Sequence, residues 1–129
     1  MRFVRIIPVV AVMSQLLFGQ GKPAILGTWS GQSLCEQKES ACRDETVVYR
    51  FSPRKDTPGS FSVSADKIVG GKAVNMGTLE FRYVEEQHAL VCEYEQGVWR
   101  FSVNGNRMEG TLTRSDGSVV RRVALHKEQ

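Results

Sequence analysis

Few residues of this chain could do chemistry, and their spacing limits what that chemistry would be. The imidazoles are His88, in a polar turn, and His126, near the carboxyl end. Glu85, Glu86 and His88 could gather around a cation, but they lack the ligand spacing of a zinc motif. The glutamates are neighbours in a turn, so they point apart rather than across a cleft. "GGKAV" (Gly70–Val74) has a lysine after paired glycines, but not the glycine spacing or the following Ser/Thr of a phosphate loop. No Gly-x-Ser-x-Gly elbow occurs. The expectation is a protein that is not an enzyme and needs no cofactor and no metal.

Three cysteines remain, Cys35, Cys42 and Cys92. A catalytic thiolate needs a cationic partner and access, and Cys92 has neither in "ALVCEYE", where alternation places it inside. Three single pairings are possible. Cys35–Cys42 closes the shortest loop, around the polar "EQKESA". A loop that short stabilises by roughly 2–3 kcal/mol in the chain-entropy picture. A disulfide fits an oxidising compartment, and the amino terminus fits the same destination. Arg2 and Arg5 precede the apolar "IIPVVAVMSQLLFG", and Gly19-Gln20-Gly21 supplies a small-x-small cleavage pattern. The segment is interrupted by Pro8, Ser14 and Gln15 and is shorter than the roughly 20 apolar residues of a membrane span. Residues 1–21 therefore read as a signal peptide and residues 22–129 as one domain, secreted or periplasmic. An uncleaved leader is the one way this reading reaches a membrane.

Removing Arg2 and Arg5 takes the formal charge from +3 to +1. No clustered basic face remains to hold nucleic acid. Nothing in the sequence fixes an oligomeric state.

The elements that must position these residues are short alternating runs between turns, the signature of an antiparallel sheet. They are "AILGTWSGQSL", "TVVYRF", "SFSVSA", "TLEFRYV", "ALVCEYE", "VWRFSV", "RMEGTLT" and "SVVRRVALH". Gln96-Gly97 and Asn104-Gly105 are hairpin signals. "DKIVGGKAVNMG" reads either as a short hairpin turning at Gly70-Gly71 or as an irregular lid. The expected fold is all-β: an up-and-down antiparallel barrel of about eight strands, which hides its edges by closure, with a β-sandwich as the alternative.

Gly27-Thr28-Trp29 in the first strand, with a basic-rich last strand, resembles the lipocalins and the wider calycin superfamily, including small secreted bacterial lipocalin-like proteins. The resemblance implies that Trp29 closes one end of the barrel and that an arginine of the last strand packs across it. Arg121 and Arg122 are the candidates, and parity with Val123 and Leu125 favours Arg121. Gly27, Trp29 and Arg121 are thus the expected structural set. The chain is shorter than a typical lipocalin and has no long helix before its last strand, which argues against the family's large cavity.

Strand parity gives the expected interior: Trp29, Val47, Tyr49, Phe51, Phe61, Val63, Leu79, Phe81, Tyr83, Leu90, Cys92, Tyr94, Trp99, Phe101, Val103, Met108, Leu112, Val123 and Leu125. A barrel of this size either fills or holds one small ligand. If it holds one, the ligand is small and largely apolar, and Trp29, Tyr49, Phe81, Tyr83, Tyr94, Trp99 and Phe101 touch it. If it fills, it acts through its surface, as an envelope-associated interaction or inhibitor module. The cysteines also bear on register. Were Cys35 and Cys42 directly opposed, Trp29 would face Val48, and the Val47, Tyr49, Phe51 stripe would turn outward. The disulfide is therefore expected to tie an irregular loop at one mouth.

Overall fold

The computed structural model describes residues 24–37 and 41–128. The expected signal peptide lies outside the described residues. Strands β1 (Gly27–Cys35), β2 (Glu45–Pro53), β3 (Ser60–Val69), β4 (Lys72–Val84), β5 (Ala89–Tyr94), β6 (Gly97–Asn104), β7 (Arg107–Thr113) and β8 (Val119–Lys127) follow one another. A single 3-10 turn, Glu85–Gln87, joins β4 to β5. The strands pair antiparallel in chain order, and β8 returns to β1, so the sheet closes into an up-and-down barrel. The doubtful middle segment is a hairpin: Val69 and Lys72 pair across Gly70-Gly71, both at positive φ.

Trp29 pairs with Tyr49 and Ser33 with Glu45. This register keeps Val47, Tyr49 and Phe51 inside, and all three are buried. The β1–β2 ladder stops at Ser33, and beyond it Cys35 and Cys42 are disulfide-bonded with Cα atoms 5.9 Å apart. A side chain takes over from the ladder there, as Asp44 Oδ1 accepts the Cys35 N–H at 2.8 Å.

The two ends of the barrel are closed differently. At one, Trp29 is fully buried and its indole N–H donates to the Ile25 carbonyl at 2.9 Å. Residues before β1 thus cross beneath the barrel and plug it, a contribution that strand parity does not reveal. The cation over the indole is Lys127, whose Nζ lies 5.7 Å from the ring centroid and donates to the Ala24 carbonyl at 2.7 Å. This corrects the expectation for Arg121. It does turn inward, but it faces Cys35, six residues along β1 from Trp29 and so about 20 Å away at the opposite end. There its guanidinium donates to the Ser33 carbonyl (3.2 Å), Ser33 Oγ (3.0 Å) and the Arg43 carbonyl (2.9 Å), and lies 3.6 Å from Glu45. Arg121 straps the disulfide loop to the sheet.

The weakest seam lies between β4 and β5. Only Arg82–Val91, Tyr83–Leu90 and Val84–Ala89 pair across it. Continuing that register would set Phe81 against Cys92, Glu80 against Glu93 and Leu79 against Tyr94. Glu80 and Glu93 would be like charges directly opposed on the outer face, which disfavours pairing. Each carboxylate instead takes an arginine, Glu80 with Arg54 at 2.8 Å and Glu93 with Arg82 at 3.8 Å. The strands part at this point.

Candidate ligand pocket

The aromatic side chains form a continuous chain up the barrel axis. Trp29 meets Phe51 at 6.4 Å between ring centroids, Phe51 meets Phe81 at 6.3 Å, and Phe81 meets Phe101 at 5.6 Å. Phe101 then contacts Tyr49 at 6.2 Å and Trp99 at 5.8 Å. The Trp29 end is therefore filled. Above Phe81 and Phe101 the interior opens into a cavity of about 300 Å³, walled by Tyr49, Val63, Ala65, Met76, Gly77, Thr78, Leu79, Phe81, Tyr94, Trp99 and Phe101. Two small residues leave the space, for Ala65 of β3 sits directly opposite Gly77 of β4.

Five of the seven expected contact residues line this cavity: Tyr49, Phe81, Tyr94, Trp99 and Phe101. Trp29 does not, because it is the plug below the aromatic chain. Tyr83 does not either. It pairs with Leu90 in the closed part of the β4–β5 ladder and packs against the core.

Met76, Gly77 and Thr78 belong to the wall but were not among the expected contacts. A β-bulge brings them there. The β3–β4 register shifts between Ala65 and Asp66, so Ala65 faces Gly77, Asp66 faces Asn75, and Met76 is the extra residue. The bulge puts Met76 on the cavity side with Gly77, instead of outward by alternation. Gly77 sits at φ +113, which other residues rarely adopt. Side chains on the outer face fix this geometry. Asn75 Nδ2 donates to Asp66 Oδ1 (2.9 Å), and Asn75 Oδ1 accepts the Gly77 N–H (2.9 Å). Asp66 Oδ2 takes Arg50 at 2.8 Å. Asn75-x-Gly77 is the signal that could have found the bulge.

The Asp66 carboxyl is held below the usual aspartate range, first by its bond from Arg50 and then by that from Asn75. A group depressed on folding stabilises above its unfolded value of 3.8 and loses that contribution as pH falls through its folded value. The bulge should accordingly hold at neutral pH and loosen only below about pH 4. Amide-proton NMR of Met76 and Gly77 during acid titration reads this step, which should be absent in Asp66→Asn. An equal acid step in both proteins would refute the assignment.

Electrostatics keep the cavity neutral. Burial pushes the Tyr49 hydroxyl up to about 12, with the Glu45 carboxylate adding to the rise and Arg121 opposing it. Tyr49 is thus a neutral hydrogen-bond donor at physiological pH. Burial also raises Tyr94, with Cys92 adding, against a hydrogen bond from Trp99. Burial raises the Cys92 thiol, so it is not poised as a thiolate. His88, Glu85, Glu86 and His126 are all exposed and away from this space. Among the described residues, no three His, Cys, Asp or Glu side chains converge as a metal site would require. A larger concavity of about 470 Å³ lies on the outer face of β1, β6, β7 and β8, with Arg100, Glu109 and Arg122 on its walls. It is an open, charged surface rather than an enclosure.

Compared with known proteins, the chain matches no protein-family model and no curated protein sequence.

Proposed function

We propose that this is an exported, lipocalin-like barrel that binds a small, largely apolar group in the cavity above Phe81 and Phe101. The observation that carries the reading is the interior space itself, about 300 Å³ with aromatic walls and the neutral hydroxyls of Tyr49 and Tyr94. An apolar cavity of about 150 Å³ already accommodates benzene, so this one suits a group of one or two rings with a polar tip. Export is supported by the leader pattern and by the Cys35–Cys42 disulfide, which fits an oxidising compartment. No helix among the described residues is long and apolar enough to cross a membrane.

Native mass spectrometry of protein purified from its source tests the reading directly, through a co-purifying small molecule. A defined probe tests it in vitro. p-Cresol should shift the amides of Gly77 to Leu79 and of Tyr94, together with the Trp99 indole, in an NMR titration. Ala65→Leu fills the gap opposite Gly77 and should weaken p-cresol binding by about tenfold or more, about 1.4 kcal/mol, while leaving the barrel folded. No binding to the native chain, or equal binding to the variant, would sink the proposal.

A further inference from the structure

One wall of the cavity, Met76 to Leu79, belongs to a stretch of β4 that does not pair with β5. From Lys72 to Phe81, β4 is paired with β3 on one edge, and no described strand pairs with its other edge. Near this edge the Gly77 N–H is satisfied by the Asn75 side chain. In an antiparallel strand alternate residues present N–H and C=O to each side, so further groups face the gap. A free edge is a template for another strand, and proteins usually blunt it with bulges or lysines. Here the bulge lies at Met76 and the lysine at Lys72, which leaves Gly77 to Phe81, the stretch beside the cavity, unblunted. Among the described residues, three of the five exposed large apolar side chains, Val69, Val74 and Met76, lie on the same β3–β4 hairpin.

The charges name the occupant. Glu80 and Glu93 flank the gap on the outer face, both largely exposed; Glu80 is held by Arg54 at 2.8 Å and Glu93 more loosely by Arg82 at 3.8 Å, and Glu95 follows just beyond. A free hydrocarbon would fill the cavity but would leave the backbone edge unmet. A chain entering as a strand would meet both the cavity and the edge, because its side chains alternate while its backbone pairs. A basic residue facing outward would sit between Glu80 and Glu93, and the residues on either side of it would point into the aromatic space. Main-chain bonds then supply affinity and the pocket supplies selectivity.

We propose that the β4–β5 gap takes an extended segment of a partner protein, which adds along the free edge of β4 with a basic side chain between Glu80 and Glu93 and a neighbouring apolar side chain in the cavity. The proposal rests on the cavity being a binding site for an apolar group, here one presented on a peptide.

The test is an NMR titration of the oxidised protein with acetylated, amidated Ser-Thr-Phe-Lys-Leu-Thr-Ser, run beside p-cresol. The expected result is shifts at Gly77 to Phe81 and Cys92 to Tyr94, with p-cresol displaced. Glutamate in place of the peptide lysine should weaken binding by about tenfold, and so should N-methylation of the backbone amides that face β4. Glu93→Lys should reverse the charge preference, binding the glutamate peptide better than the lysine peptide, which a merely structural effect would not do. If p-cresol binds and the peptide does not, this inference falls and the cavity reading stands; if neither binds, both fall. Equal binding of the N-methylated peptide would overturn strand addition. Concentration-dependent shifts of the same amides without peptide would overturn it too, by making a second copy of this chain the occupant.

Discussion

Trp29→Ala lowers the stability of the barrel by about 3–5 kcal/mol, the usual cost of truncating a fully buried tryptophan. Three separate contributions disappear with the ring. One is its packing against Phe51 at the base of the aromatic chain. Another is the hydrogen bond to the Ile25 carbonyl, without which a buried acceptor is left unsatisfied. The third is the surface under Lys127. A domain of this size has only about 5–15 kcal/mol of stability in total, so the urea midpoint should fall steeply. Trp29→Phe keeps most of the packing and loses the N–H bond, and should cost about 1 kcal/mol from that source. Because the ring sits below the cavity and not in it, the folded fraction of Trp29→Ala should bind p-cresol as the native chain does. An unchanged midpoint, or loss of binding in protein shown to be folded, would contradict the assignment of Trp29 as plug.

The second large effect comes from adding one methyl group. In Gly31→Ala the new Cβ would stand 1.9 Å from the Ala124 carbonyl oxygen, 2.9 Å from its carbon and 3.0 Å from the Leu125 Cα. All three are backbone atoms, so no side chain can rotate away, and β1 and β8 must separate where they close the barrel. Overpacking of this kind costs about 1–3 kcal/mol and sometimes more. The upper end is expected here, since ladder bonds on both sides of Gly31 are strained together. Urea unfolding measures the loss, and hydrogen exchange locates it. The amides of β8 facing β1 should exchange faster, and exchange unchanged from the native pattern would refute the close-approach argument.

The limits of sequence reading can be stated residue by residue. Alternation says which face a side chain takes, and it placed Tyr49, Phe81, Tyr94, Trp99 and Phe101 correctly around one interior space. It does not say how far along the barrel a residue lies. Trp29 shares the inner face with the cavity residues yet sits below them; Arg121 faces inward at the opposite end, and Lys127 takes its expected place over Trp29. Height follows from register, and register depends on where each ladder stops. The bulge at Met76 is a second blind spot, since it breaks the period on which parity rests. The parting of β4 and β5 is the third. Glu80 and Glu93 look unremarkable in sequence, and their opposition emerges only once Arg82 is known to pair with Val91.

The closing seam also carries a consequence for how the chain comes to be folded. Every other neighbouring pair of strands is joined by a short connection, whereas β1 must find β8, with Trp29 meeting Lys127 nearly a hundred positions later. Contacts this distant in sequence form late and slowly. During synthesis β1 waits, its partner edge bare, until the last of the eight strands has emerged. The same delay makes β8 the step that commits the molecule: before it docks there is only a growing meander, and afterwards an inside and an outside.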